Sequence, residues 1–512
     1  MNKILKNPWS ILILIALFHV INNGIIISLD KTFPMSDEQD NLSEALQISK
    51  TFTSIPKSPQ EAYSWYYNLG GRCRAPLYRI ILSLACIPKI SMFGILIINS
   101  LFLIVLLFSV YGIGTKLQSS LSGVLAAFIL SMFTGIFAMS RVSMFDFPLT
   151  AAISLSVYLM LLTKNFINLK YTIFFGISVG LGMLIKVTYI NFILPIIVFY
   201  IFASIVKNLR QNTNVSMIVK NLAIFLLCSL LISGSWYFPN LNRVIQRAQA
   251  ECYLATYLPQ HSFWTVFSRY MNWLFFYNIG PFFCVLSLAG IFLCLIRRKF
   301  ALLFIWFWIP LLIFSLSPNA VPRFMLPLLP AISLIIAQGV VAIKTSLIRK
   351  MLIIIIVVYG VVSFFVISYG KIFPGTILKG DIPNRIDRGI IYPVRNINWK
   401  TEEIMKLILG QDYNKESIST ELRCLLIPNI PEISGALRYY LFSRGINLHI
   451  SRPAEADSYD SQYNPIPYSL SEFDFIITKD GNQGVCLSNP SRLSNLCATS
   501  ATSGHNRLFL GL

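Results

Sequence analysis

The sequence predicts a polytopic α-helical membrane protein with about eleven transmembrane helices, followed by a small external α/β domain. Three observations carry that expectation. Of 512 residues, 55% are hydrophobic and only 12% charged, with a mean hydropathy of +0.65, well beyond what a soluble chain of this length shows. The apolar residues fall in nearly charge-free runs of roughly 17 to 25 residues, the length that spans about 30 Å of hydrocarbon. The net charge of +20 gathers in short connectors between those runs. That is the positive-inside pattern of cytoplasmic loops, so no nucleic-acid partner is expected.

In chain order, Lys3 and Lys6 precede the run Ile11 to Ile27. No small-residue cleavage site follows, and the run is long for a signal peptide, so it is a retained helix with a cytoplasmic N-terminus. The polar stretch 29 to 90 is then an external loop. Met92 to Ile113 returns to Lys116. Leu121 to Met139 leads out to Arg141 and Asp146, and Phe147 to Leu162 comes back to Lys164 and Lys170. Tyr171 to Ile185 reaches Lys186 outside, and Tyr189 to Ile205 descends to Lys207, Arg210 and Lys220. Leu222 to Phe238 climbs to a second external loop, about 239 to 268. Trp273 to Ile296 descends to Arg297-Arg298-Lys299, the clearest cytoplasmic signal. Ala301 to Leu316, Phe324 to Ile343 and Leu352 to Tyr369 complete the count. The predicted domains are therefore 1–370, a multi-pass unit of the plasma (inner) membrane, and 371–512, a soluble extracytoplasmic unit.

Beyond Gly370 the composition becomes that of a soluble domain. Helices are predicted over Thr401 to Leu409 and Ile433 to Gly445, and strands at Leu425-Leu426-Ile427 and Asp474 to Thr478. Nine cysteines are scattered without a CxxC pair; Cys486 and Cys497 could bridge externally, with Cys424 as a competing partner. Four histidines show no ligand spacing, so a zinc site built by the protein is not expected.

Apart from His19, no ionisable residue sits within an apolar run, which argues against an ion-coupled transporter. The conspicuous charges ring the external ends of the spans instead: Asp37 and Glu38, Arg72 and Arg74, Arg141 and Asp146, Lys186 and Arg323. Acids and bases on one face suit transfer of a group from a lipid-linked phosphate. Cations hold the leaving phosphate and a carboxylate takes the acceptor's proton.

Several short motifs lie along this face: Asp37-Glu38, Arg74-Ala75-Pro76-Leu77-Tyr78, Phe145-Asp146-Phe147-Pro148-Leu149, and Gly180-Leu181-Gly182-Met183-Leu184-Ile185-Lys186. With Trp236-Tyr237 and Arg323-Phe324-Met325-Leu326-Pro327-Leu328-Leu329-Pro330, they resemble the C-type membrane glycosyltransferases. The resemblance is to the bacterial branch that includes protein O-mannosyltransferases and lipid A aminoarabinose transferases, over about residues 8 to 340. The sequence departs from that pattern at Asn41, where the family has tyrosine, at Ala75, where it has proline, and at Ser235 before Trp236.

The resemblance implies an inverting transferase using a polyprenyl-phosphate-linked sugar, with a lipid, glycan or protein acceptor. Asp37 is the implied general base, Glu38 a supporting acid, and Asp146 a further site acid, although Asp146 also suits a cap on its helix. Lys186, Arg72, Arg74, Arg141 and Arg323 are the implied donor-phosphate ligands, against the plainer reading of contact with membrane lipids. Tyr78 is the implied substrate contact. No cofactor is implied, although a divalent metal near Asp37 and Asp146 stays open. Gly176, Gly180 and Gly182 predict close approach of a neighbouring helix or a lipid tail. The competing readings are a lipid or polysaccharide transporter, an O-antigen ligase and a glycan polymerase.

Overall fold

The computed structural model describes residues 7–29, 37–52, 58–69, 74–87, 91–210, 215–256, 262–296, 301–317 and 320–369, together with six short strands between 422 and 510. The chain forms two compact units. The first contains 1–29, 47–87 and 91–394; the second contains 30–46, 88–90 and 395–512. Residues 30–46, with the acidic motif, therefore cluster with the C-terminal residues. The predicted helices after residue 400, Cys486, Cys497, Arg72 and Arg297-Arg298-Lys299 lie outside the described residues.

Among the described residues, the regular structure of the first unit is helical. Helices α1 (Pro8–Leu29), α5 (Met92–Leu117), α10 (Tyr189–Arg210), α11 (Val215–Thr256) and α16 (Ser346–Tyr369) contain membrane-length apolar spans, as does the segment Pro322–Val341. Together these are six helices long and apolar enough to cross a bilayer, or seven if one bent pair counts as a single span. Four shorter apolar helices stand among them: α6 (Ser120–Met132), α8 (Asp146–Leu162), α9 (Leu169–Ile185) and α14 (Ala301–Ser315). Several starts are set by the local sequence. Ser91, Ser119 and Asn168 accept from the backbone N–H three residues on, capping α5, α6 and α9.

The structure redraws four stretches of the predicted topology. The predicted span 121–139 is interrupted at Phe133, whose extended backbone separates α6 from α7 (Thr134–Met139). The predicted span 324–343 begins as a 3-10 helix, Pro322–Leu328, before α15 (Leu329–Val341). Pro327 and Pro330 lack the N–H that α-helical bonding would use there. The predicted external loop 239–268 is mostly helical, since α11 continues through Pro239 to Thr256 and α12 (Phe263–Asn272) follows. The predicted span 273–296 opens as a π-helix, Trp273–Ile279, and turns at Gly280, where φ is +82°, into α13 (Pro281–Ile296). Arms 263–279 and 281–292 meet at a bend of 114°.

The polar stretch before α5 is also ordered into helices, α3 (Pro59–Asn68) and α4 (Leu77–Leu84). α3 is docked on α11. Trp236 Nε1 donates to the Leu69 carbonyl at 2.9 Å, and Tyr66 shares a hydrogen bond with Ser235 at 2.7 Å.

Helix α2 (Asp37–Thr51), of which residues 37–46 belong to the second unit, begins on the acidic motif, within the stretch that the sequence predicts as a loop. The described C-terminal strands are β1 (Leu422–Leu426), β2 (Leu448–Ser451), β3 (Ser458–Tyr459), β4 (Pro465–Ile466), β5 (Phe475–Lys479) and β6 (Asn506–Leu510). They form a four-stranded parallel sheet in the order β2-β1-β5-β6 and an antiparallel β3-β4 pair. β1 and β5 overlap the two strands that the sequence predicts.

Candidate active site

Three side chains far apart in sequence converge where α8 starts and α9 ends. Asp146 is the first residue of α8, and its side chain is 4% exposed. Lys186 is the residue at which α9 stops. Its backbone turns extended while its N–H still reaches the Gly182 carbonyl, which sends the side chain off from the helix end. Arg323 is the second residue of the 3-10 helix, fixed behind by Trp306 Nε1 donating to the Pro327 carbonyl at 2.9 Å.

Lys186 Nζ lies 2.7 Å from Asp146 Oδ1, and Arg323 Nε lies 3.2 Å from Oδ2. Each cation thus takes its own carboxylate oxygen. The carboxylate engages these cations from the first turn of α8. Two cations meet one acid in a largely dehydrated place, where such pairing is needed to offset burial of the acid. The Phe324 ring lies beside both cations, with Lys186 Nζ 4.8 Å and Arg323 Cζ 5.9 Å from its centroid.

The loop before Asp146 is held from α4 and α5. Tyr78 is fully buried, its ring edge-on to Phe145 at 5.4 Å and its hydroxyl donating to Asn99 Oδ1 at 3.2 Å. Asn99 Nδ2 in turn donates to the Val142 carbonyl at 2.9 Å. Tyr78 thereby supports the backbone leading into Asp146, a packed position for a residue read from the sequence as a substrate contact. Arg79, which the sequence reading passed over, is 1% exposed with its guanidinium 5.3 Å from the Phe145 centroid. A cation in the short apolar helix α4, directly after the Arg-Ala-Pro-Leu-Tyr motif, was the available signal.

Arg141 stands apart from this cluster. Its Nε donates to Asn23 of α1 and its Nη2 to Ser368 of α16, each at 2.8 Å, and it lies over Phe137 and Phe364. Those bonds tie the first and last membrane helices together. Arg74 is half-buried just before α4. In the other unit, Asp37 is the first residue of α2 and half-buried, Glu38 is 7% exposed, and Asn41 is buried. Burial pushes the Cys86 thiol up to about 11, which leaves it a poor nucleophile at neutral pH. Among the described residues, no group of three or more His, Cys, Asp or Glu side chains is placed to hold a metal ion.

Comparison with known proteins bears on the family resemblance and the fold. The family model described as dolichyl-phosphate-mannose-protein mannosyltransferase matches residues 74–236, which include Arg74, Asp146 and Lys186. No curated protein matches significantly. Among solved structures, ArnT from Cupriavidus metallidurans in the apo state is 12% identical and superposes with a TM-score of 0.54 over 86% of this chain and 85% of its own. The oligosaccharyltransferase of Archaeoglobus fulgidus tethered to an acceptor peptide is 12% identical, with a TM-score of 0.53 over 90% of this chain and 65% of that one. The archaeal oligosaccharyltransferase AglB from Archaeoglobus fulgidus, in complex with an inhibitory peptide and a dolichol-phosphate, is 12% identical with a TM-score of 0.50, over 90% of this chain and 66% of that one. This chain thus spans about two thirds of the archaeal protein's length. In fold, the chain is a polytopic α-helical membrane protein of the C-type glycosyltransferase architecture, resembling the ArnT, AglB and protein mannosyltransferase group.

Proposed function

We propose that this protein is an inverting membrane glycosyltransferase that moves a sugar from a polyprenyl-phosphate donor to the hydroxyl of an extracytoplasmic lipid, glycan or protein. The observation that carries the proposal is the Asp146–Lys186–Arg323 cluster, a preorganised site at helix ends that sets two cations on one buried acid. A leaving phosphate needs positive charge that is already in place, since reorganising solvent during the reaction would cost part of the stabilisation. The dolichol-phosphate found with AglB, which shares the fold, supports a phosphate-terminated lipid as donor.

In this reading Asp37 accepts the proton of the acceptor hydroxyl, with Glu38 supporting it. The freed oxygen attacks the anomeric carbon, the sugar–oxygen bond breaks, and its electron pair stays on the polyprenyl phosphate, which Lys186 and Arg323 receive. Arg72 and Arg74 remain candidate phosphate ligands. Arg141 acts at longer range through α1 and α16, and Tyr78 through Phe145. The N-terminus is cytoplasmic and the C-terminal residues extracytoplasmic. Eleven crossings are supported by adding the four shorter apolar helices to the seven counted with the bent pair. The parallel sheet supports an α/β C-terminal domain, because parallel neighbours need long crossover connections.

The break at Gly280 is the kind of feature a transporter uses. The π-helix and α13 carry no acidic or basic side chain, however, so the break lacks the intramembrane carboxylate that ion coupling commonly uses. The test is direct. Protein in lipid nanodiscs is given a polyprenyl-phosphate sugar and a panel of lipid, glycan and peptide acceptors, and released polyprenyl phosphate is measured. Asp37→Asn should lower turnover by about 10²-fold or more while still binding donor, the usual loss for a positioned general base. Turnover near the parent rate would remove Asp37 from that role, and no release by the parent with any acceptor would remove the transferase reading.

A further inference from the structure

The carboxylate of Asp146 presents a difficulty for a phosphate site, because it already occupies the cations that the phosphate would use. Among the described residues Asp146 is the only acceptor for the Lys186 ammonium, which keeps two N–H bonds unused by protein and a side chain 22% exposed. Arg323, 12% exposed, lies as an ion pair 3.2 Å from the opposite oxygen. One cation can therefore let go while the other stays in place. The long, flexible lysine stem suits departure, and the planar guanidinium suits staying.

Charge gives that asymmetry a use, on the reading of the protein as a polyprenyl-phosphate glycosyltransferase. The donor phosphate is a diester with one negative charge. When the sugar–oxygen bond breaks, the electron pair stays on phosphate and the acceptor's proton goes to the base, so the leaving monoester carries about −1.5 to −2 at neutral pH. The Lys186 ammonium, released by its own carboxylate, is one source of the added charge. Asp146 then faces the leaving phosphate as a fixed like charge, which favours expulsion.

We propose that Asp146 is an exchangeable counter-ion: it holds Lys186 and Arg323 in position while the phosphate subsite is empty, yields the Lys186 ammonium to the leaving phosphate, and speeds its release. It is a positioning residue, acting through the two cations. Removing its charge should trap the product. Asp146→Asn, which keeps the shape, should bind free polyprenyl phosphate at least tenfold more tightly than the parent. Its steady-state kcat should fall about tenfold or more, while a first-turnover burst of glycosylated acceptor remains. Asp146→Glu restores the charge and should return affinity toward the parent value.

The experiment measures polyprenyl phosphate binding and pre-steady-state product formation in nanodiscs, with fold checked by gel filtration. Asp146→Ser makes the same change of charge if the asparagine variant does not fold. Equal or weaker binding of polyprenyl phosphate by the charge-removing variants, with the parent still binding and turning over, would overturn the counter-ion role and leave the function intact. A parent that binds no polyprenyl phosphate would overturn both.

Discussion

Lys186 is the side chain whose surroundings most constrain its role. At the end of a membrane helix a lysine commonly extends to the lipid headgroups, but here the ammonium is turned onto Asp146 at 2.7 Å and over Phe324. Lys186→Ala should raise the Kd for polyprenyl phosphate and for its sugar-linked form by a similar factor, about 10- to 100-fold, with Lys186→Arg keeping part of the affinity. It also strips one partner from a buried carboxylate, a change that costs on the order of 3 kcal/mol, so melting in detergent should drop as well. Unchanged affinity for both lipids would place Lys186 back at the headgroups.

The sequence identified all three members of this cluster by their position at the ends of apolar runs. It did not show that they meet, because Asp146 and Lys186 are 40 residues apart and Arg323 is farther still. Arg141 had the same signature and a different destination. Its partners Asn23 and Ser368 are polar residues within apolar runs, where hydropathy gives no hint of pairing. His19, on the same helix as Asn23, is fully buried between Phe18 and Phe364, the packed outcome usual for a lone histidine.

At the scale of elements, the glycines of α9 illustrate how far spacing alone reaches. Gly176 and Gly180 lie one helical turn apart, which foretold a close neighbour without saying whether it would be protein or lipid. The structure puts α11 there: a Cβ on Gly176 would come 2.7 Å from the Phe225 carbonyl oxygen, and one on Gly180 would come 2.7 Å from Ile232 Cβ and 3.0 Å from the Ser229 carbonyl oxygen. Gly182 instead leaves room for the Tyr189 ring. Because backbone atoms cannot move aside, Gly180→Leu should push α9 off α11 and destabilise the protein by about 1–3 kcal/mol. Since α9 ends at Lys186, phosphate affinity should fall with it. A melting temperature and a Kd both at parent values would show that the helices are not in close contact there. The breaks at Phe133 and Gly280 were not legible, because a hydrophobic run reports its length and not the backbone angles inside it. Pro327 and Pro330 were visible, yet a 3-10 start within an apolar run is one of several ways to accommodate them.

For the whole molecule, the bent pair decides the parity of the crossings. If arms 263–279 and 281–292 formed a re-entrant loop, everything after residue 300 would lie on the side opposite to that expected, and the C-terminal residues would face the cytoplasm. Two features favour a crossing by α13 alone, with α12 lying in the membrane interface. α12 has polar and apolar faces, with Val266 and Tyr270 buried, Ser268 on its outer side, and Arg269 over the Trp273 ring at 5.9 Å. α13 has 16 residues and no charge, giving about 24 Å of apolar helix at 1.5 Å per residue, and it runs into Arg297-Arg298-Lys299. Such a basic cluster is retained on the cytoplasmic side. Reporter fusions after Lys116, Lys207 and Lys299 should therefore all report cytoplasm, while fusions after Arg323 and within 380–500 report the outside. An external signal after Lys299, with Lys207 still cytoplasmic, would make the pair re-entrant. Arg323 would then be on the cytoplasmic side while Lys186 stays outside, an arrangement that the 2.7 Å and 3.2 Å contacts to a single carboxylate do not allow. The fusion at 299 thus tests the topology and the active-site cluster together.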